Sequence, residues 1–288
     1  MGKRTEKKRT ASNAQPINEQ RLTLCENLSF TAAEAYKLLR TNLMFSIPNE
    51  GKCRSIGVSS SINGEGKSTT SINLAYSIAE TGARVLLIDG DMRLPSVAKK
   101  LELPKDKGLS NCLAGLCKLP AVIQRSKILD SWDILTAGEI PPNPSELLAS
   151  QQMMDIMEEL KKEYDYIIVD LPPVNVVSDA LIVSHLVDGM LLTVREGYSD
   201  RRSLDECMRK LTIMDVKVLG FVMNDAEEST KNYGKKYLKR HYKKYGYGYG
   251  KNYGYGYGYG YGYGYGYGYG KKPQASRVQQ GADSQESK

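Results

Sequence analysis

The run Ser61-Ile-Asn-Gly64-Glu65-Gly66-Lys67-Ser68-Thr69 places two glycines, one lysine and hydroxyl side chains within nine positions. This is the spacing of a polyphosphate-binding loop. Glycines let backbone N–H groups turn inward around phosphate oxygens, and a helix opening after the loop adds the favourable field of its N-terminus. With ATP in the loop, Lys67 reaches the β- and γ-phosphates, Ser68 holds Mg²⁺ through its hydroxyl, and Thr69 sits near the α-phosphate. The backbone of Gly64, Glu65 and Gly66 lines the cradle. Position 61 is serine where the general motif has glycine, so the match departs at one position.

A second candidate is Val85-Leu-Leu-Ile-Asp89-Gly-Asp91-Met-Arg93, an apolar strand that ends in two carboxylates. Side chains at i and i+2 of a strand point the same way, so Asp89 and Asp91 would face one site if the extended geometry persists past Ile88. Two carboxylates together suit a hard divalent cation and a general base for a hydroxyl. A polar turn, which Asp-Gly often marks, is the alternative. The third candidate is Tyr166-Ile-Ile-Val-Asp170-Leu-Pro172-Pro173. Its lone aspartate at a buried strand end is placed to hold a water of the Mg²⁺ shell, or simply to cap the strand.

Fifteen of the 20 tyrosines lie at or beyond Tyr233, most of them in strict Tyr-Gly alternation. Glycine at every second position maximises the entropy lost on ordering, so a disordered tail is expected over residues 231–288. A strand with all aromatics on one face, or self-association, is the alternative. The tail carries 12 Lys/Arg against 2 Asp/Glu, which leaves 28 against 31 in the rest of the chain. The basic excess therefore belongs to the tail. Its lysines and tyrosines could attract phosphates and stack on bases, a nucleic-acid-binding reading of the same residues. The cluster Lys3, Arg4, Lys7, Lys8 and Arg9 reads as a solvated, flexible N-terminal segment, residues 1–25, with attraction to an anionic leaflet as the alternative.

The elements needed to position the three motifs follow from hydrophobic periodicity. Residues 26–230 alternate short β-branched runs with amphipathic stretches, the pattern of a P-loop α/β domain: a mostly parallel sheet with helices on both faces. Strands are expected at Arg54 to Ser59, Arg84 to Ile88, Trp132 to Leu135, Tyr166 to Val169, Gly189 to Val194 and Val216 to Val222. Helices are expected at Ser68 to Ala79, Ser145 to Lys161, Ser178 to His185 and Arg201 to Met214. Ligands of such sheets bind beyond the carboxyl ends of the strands, where all three motifs fall. Asn224, at the end of the last strand, is placed to touch adenine or to make an ordinary turn.

Five scattered cysteines without a Cys-x-x-Cys pair indicate neither a disulfide framework nor a zinc site, and a reducing cytosol is expected. No apolar stretch reaches the ~20 residues needed to span a bilayer. The best candidate, Leu181 to Val194, is interrupted by His185 and Asp188. No apolar segment follows the N-terminal charges, so no secretory signal is expected.

Together these motifs resemble the bacterial tyrosine kinases of the capsule and exopolysaccharide type, specifically the cytoplasmic kinase of a split kinase and activator pair. The phosphate loop, the Asp89/Asp91/Arg93 strand end and the Asp170 strand end are similar to that family's three Walker-type motifs. The proline-rich run Gly138 to Leu148 resembles a further signature without evident chemistry. The family also has a helix bearing Glu-x-x-Arg-x-x-Arg-x-Asn-Leu-x-Phe, through which subunits pack into a ring. Glu34, Arg40, Asn42, Leu43 and Phe45 fit it, whereas position 37 is lysine, which lacks arginine's planar two-pronged contact. On one helical face, Glu34, Lys37 and Arg40 could equally make an intrahelical salt bridge.

The resemblance implies ATP and Mg²⁺ as cofactors, with Asp89, Asp170 and Ser68 organising the metal and Arg93 and Asn224 in the nucleotide site. Lys67 is the main catalytic residue, and Asp91 or Asp89 is the base. The implied acceptors are Tyr245, Tyr247, Tyr249, Tyr253, Tyr255, Tyr257, Tyr259, Tyr261, Tyr263, Tyr265, Tyr267 and Tyr269. A flexible chain from Asn224 to Tyr253 reaches roughly 30 Å, enough for transfer within a subunit or to a neighbour's site. Implied partners are further copies of the chain in a ring, a membrane-embedded activator that regulates polysaccharide chain length, and a phosphotyrosine phosphatase. No nucleic-acid partner is expected, and the protein is placed at the inner face of the membrane through its activator. A non-kinase ATPase of the partition or septum-positioning kind is the main alternative. Those proteins carry an extra lysine early in the loop, where this chain has Ile62, and lack tyrosine tails.

Overall fold

The computed structural model describes residues 24–47 and 53–226. The acceptors Tyr245 to Tyr269, the basic cluster Lys3 to Arg9 and the region 231–288 lie outside the described residues.

Each strand is a buried β-branched or aliphatic run that ends where a polar residue or glycine begins a turn. In chain order they are β1 (Arg54–Ser60), β2 (Val85–Asp89), β3 (Ile123–Arg125), β4 (Trp132–Leu135), β5 (Tyr166–Asp170), β6 (Gly189–Arg195) and β7 (Val218–Asn224). They form one sheet in the order β3-β4-β2-β5-β1-β6-β7. All pairings are parallel except β3 with β4. Strand alternation divides the interior into two cores. Leu86, Ile88, Ile167 and Val169 face one, while Val85, Leu87 and Ile168 face the other. Burying each such side chain contributes roughly 1.5–3 kcal/mol, which makes the sheet a stiff platform for the loops at its carboxyl end.

Helices α1 (Phe30–Ser46) and α2 (Lys67–Ala79) cover the second core, and α6 (Gln151–Glu163) and α8 (Arg201–Ile213) help cover the first. Helix α1 starts at Ser29, whose hydroxyl accepts from the Ala32 amide at 3.3 Å. It lies against α2, where Arg40 donates to the Ser77 carbonyl and, at 3.4 Å, to its hydroxyl. Lys37 pairs with Glu34 of its own helix at 2.9 Å. Arg40 thus bonds within its own subunit, and Glu34 and Lys37 of the expected ring motif bond to each other.

Several boundaries differ from the sequence reading, most by one or two residues. The helix expected over Ser145 to Lys161 is broken into α5 (Pro144–Leu148) and α6, because Ser150 adopts an extended backbone and its hydroxyl caps Met153 at 3.3 Å. The last strand begins at Val218, two residues later than expected. The Val216 amide is spent closing α8 on the Leu211 carbonyl at 2.9 Å, after Asp215 turns through the left-handed region. The second strand runs through Asp89 rather than ending at Ile88. Short helices α3 (Val97–Leu101), α4 (Leu109–Leu113) and α7 (Asp179–Ser184) complete the described elements. Of these, α3 and α4, like the antiparallel edge strand β3, have too few residues to show a period.

All five cysteines are free thiols. Among the described residues, no helix is long and apolar enough to cross a membrane.

Candidate active site

The phosphate loop runs from the end of β1 to α2. Gly64 and Gly66 hold φ of 83° and 92°, in the left-handed region that glycine enters without strain. Gly66 is the N-cap of α2, and no side chain caps that helix. Its first amides therefore keep no side-chain partner and face the position of an anion.

Both glycines are also crowded. A Cβ at Gly66 would lie 1.9 Å from Asn224 Nδ2, and one at Gly64 would lie 3.0 Å from the Tyr198 hydroxyl. Gly66→Ala combines this clash with a backbone conformation that costs a non-glycine residue about 1–3 kcal/mol. The variant is expected to bind Mg·ADP at least about tenfold more weakly by calorimetry; unchanged affinity would refute the close packing of β7 on the loop.

The Glu65 side chain turns into the protein. Its buried carboxylate accepts from the Ser61 hydroxyl at 3.0 Å, from the Ile62 amide at 2.9 Å and from the Ser199 hydroxyl. The serine that departs from the general motif thus braces the loop from within. The expected nucleotide contact of Glu65 is confined to its backbone. Asn224 ends β7 with its amide donating to the Glu65 carbonyl at 3.0 Å, so it supports the same loop.

Three carboxylates converge on Lys67. Its ammonium lies 2.8 Å from Asp91 Oδ2 and 3.9 Å from Asp170 Oδ2, and it donates to the Ser68 hydroxyl at 3.4 Å. Asp89 and Asp170 are register neighbours on β2 and β5. Strand geometry stops at Asp89. Asp91 reaches the lysine from the following loop, where its Oδ1 accepts the Leu94 amide at 3.0 Å. Asp89 is more tightly committed: its Oδ2 accepts from the Ser96 and Val97 amides at 3.2 and 3.1 Å, and its Oδ1 from Asp91 at 3.3 Å.

Burial, then the charge of Asp170, pushes the Asp89 carboxyl up to about 8. Asp170 is also raised, by burial first, with Lys67 opposing. For Lys67, burial acts downward, but Asp170 and Asp91 outweigh it and the net shift is upward. One ammonium faces three acids, a balance that favours an added cation.

The residues fit Mg²⁺ on that ground and on a second. Asp170 is fully buried; its Oδ1 accepts from Ser71 at 3.1 Å, but its Oδ2 has no hydrogen-bond partner among the described residues. The Lys67 ammonium, at 3.9 Å, faces that oxygen without hydrogen-bonding it, and an ion or its water would complete it. No cluster of three or more His, Cys, Asp or Glu able to hold a metal occurs among the described residues. Mg²⁺ keeps several waters and binds through one or two carboxylates together with substrate phosphates.

Arg93 is engaged by protein partners. Its guanidinium forms a two-pronged pair with buried Asp179, at 2.8 and 3.2 Å, and donates to Ser145 at 2.8 Å. Ser145 in turn donates to Asp179 at 2.6 Å. The proline-rich run thus acquires a role, because it clamps the loop that carries Asp91. Arg195 and Tyr198 also frame the loop, with the guanidinium 5.3 Å from the ring centroid and 3.4 Å from the Gly64 carbonyl. Neither residue belongs to a sequence motif; proximity to a strand end was the available signal.

A P-loop on a mostly parallel sheet, with carboxylates at two adjacent strand ends, defines a P-loop nucleotide-binding protein. Residues 53–207 match a family model described as an AAA domain. The chain is 36% identical over 192 residues to the tyrosine-protein kinase YwqD of Bacillus subtilis, covering 67% of this chain and 80% of that one. It is 36% identical over 206 residues to the tyrosine-protein kinase CpsD of Streptococcus pneumoniae, covering 70% and 88%. The kinase domain of the Escherichia coli tyrosine kinase ETK superposes with a TM-score of 0.68 at 31% identity, covering 80% and 84%. The chimerical protein CapA2B2 gives 0.67 at 32%, covering 72% and 90%. The chain belongs to the bacterial tyrosine-protein kinases of the capsule type.

Proposed function

We infer that this kinase transfers the γ-phosphoryl group of ATP to tyrosines of its own C-terminal region, Tyr245 to Tyr269, and thereby regulates the polymerisation and export of a capsular or extracellular polysaccharide. The observation that carries the reading is Lys67 held between Asp91 and Asp170 above the uncapped N-terminus of α2.

ATP would lie along the loop with its phosphates on the backbone of Gly64 to Thr69. Mg²⁺ would be held by the Ser68 hydroxyl and, through water, by Asp170 and Asp89; it supplies charge neutralisation at the β- and γ-phosphate oxygens. Lys67 then exchanges its carboxylate contacts for phosphate oxygens and stabilises the charge of the transferring group. Asp91, the less committed of the two strand-end acids, takes the phenol proton. The tyrosine oxygen bonds to phosphorus as the bond to the ADP oxygen breaks. Without a base little phenolate exists near neutral pH, since an unperturbed tyrosine has a pKa near ~10. The clamp of Arg93 by Asp179 and Ser145 keeps the Asp91 loop in place.

Presentation of the tail to a neighbouring subunit in a ring is supported by α1, which exposes Phe30 and Phe45 at 82% and 87%, together with Leu38 and Met44. Membrane attachment would come through an activator subunit, and a phosphotyrosine phosphatase would reset the mark. Each phosphate adds about −1.5 to −2 charges, so roughly six would cancel the tail's basic excess.

The test is to incubate the purified full chain with its activator, labelled ATP and Mg²⁺, and to map the label by mass spectrometry. Phosphotyrosine between Tyr245 and Tyr269 is the expected result. ATP turnover that leaves every tyrosine unmodified sinks the proposal.

A further inference from the structure

Lysine 100 stands beside the phosphate loop without belonging to any of its motifs. Helix α3, five residues long, follows the Asp91 loop, and its N-terminus is fastened to Asp89 through the Ser96 and Val97 amides. Near its end Lys100 turns toward α2 and donates to the Thr69 hydroxyl at 3.3 Å. Its neighbour Lys99 is exposed, whereas Lys100 is half-buried. Among the described residues, no carboxylate lies within ion-pair distance of Lys100, and a lone hydroxyl is a poor partner for a desolvated ammonium. Burial pulls this lysine down, Asp170 opposes that, and Lys67 adds to it. The ammonium therefore lies within electrostatic reach of Asp170 and Lys67 in the catalytic cluster.

We propose that Lys100 is a nucleotide-binding residue, a second cation that contacts the phosphate chain of ATP on the side of Thr69. The inference rests on the reading that the loop holds a nucleoside polyphosphate. The geometry favours this anion over others. Thr69 lies in the first turn of α2, whose N-terminal amides have no side-chain cap, and a phosphate drawn to those amides and to the Thr69 hydroxyl arrives beside Lys100. The hydroxyl can then bond the phosphate while Lys100 keeps or exchanges its own bond to Thr69. Lys67, held by Asp91 and Asp170, serves the transferring end of the chain. Lys100 approaches from a different helix and can act on the part that remains as product. Its contribution is to affinity for ATP and ADP rather than to the charge of the transferred group.

Calorimetry on the full chain with ADP, AMP and adenosine, using Lys100→Met and Lys100→Arg, tests the assignment. Lys100→Met is expected to weaken ADP and AMP by about tenfold, the worth of one charge-assisted bond, while leaving adenosine unchanged. Lys100→Arg should stay within about threefold of the parent. In the kinase assay the methionine variant should raise the KM for ATP by a similar factor, with kcat near its parent value. Equal ADP affinity in parent and methionine variant overturns the proposal, and so does an equal loss for adenosine, which would mark a purely structural role. These outcomes are read from binding alone, so a failure of tyrosine transfer is distinguished from a failure of the Lys100 assignment.

Discussion

Lys67→Met is expected to lower tyrosine phosphorylation by at least about 10³-fold, the lower end of what one positively charged finger contributes to phosphoryl transfer. Positioned charge dominates phosphoryl transfer, because the enzyme has little covalent chemistry to perform. Lys67 is well prepared for this. Its contacts with Asp91 and Asp170 fix the ammonium in the site and, against the opposing effect of burial, keep it protonated. Methionine has similar length and packs without charge. Removing the cation leaves Asp89, Asp91 and Asp170 facing one another, so the variant's melting temperature should be measured alongside its activity. A folded variant with parental phosphotyrosine yield would contradict the assigned role of the loop.

Replacing the twelve tyrosines from Tyr245 to Tyr269 by phenylalanine is expected to reduce phosphate incorporation more than tenfold while leaving Mg·ADP affinity unchanged. The substitution deletes only the hydroxyls, keeping ring size and the charge of the unmodified tail. In the parent, phosphorylation should reverse the tail's attraction to acidic surfaces. Gel filtration before and after ATP would show whether assembly follows that charge. Label that persists at parental level in the phenylalanine variant would move the acceptors elsewhere in the chain.

The parts of the site legible in the sequence were those in which residue type alone dictates chemistry. Gly64, Gly66 and Lys67 announced a phosphate loop because few other functions need that spacing, and the runs ending at Asp89 and Asp170 announced buried strands by composition. Other parts depended on contacts between segments far apart in the chain. Nothing around Arg93 in the chain names Asp179, 86 positions away, as its partner. The Glu65 backbone reads as part of the cradle, but nothing local shows that Ser61 and Ser199 hold its carboxylate. The start of β7 was misplaced because Val216 has a strand-forming side chain, whereas its amide was already required by the preceding helix. Lys100 gave no signal, since a lysine pair in a polar stretch looks like a solvated surface.

The union of Glu65 with Ser199, and of Asn224 with the Glu65 carbonyl, has a mechanical consequence. The loop that grips the nucleotide is latched to the segment leaving β6 and to the last residue of β7, so a shift in any one of the three strains the other two. Chain departure toward the tyrosine array begins immediately after that latch. A nucleotide entering the cradle therefore meets a loop whose backbone is already pinned from the carboxyl ends of two strands, so little of its binding energy is spent on ordering that loop.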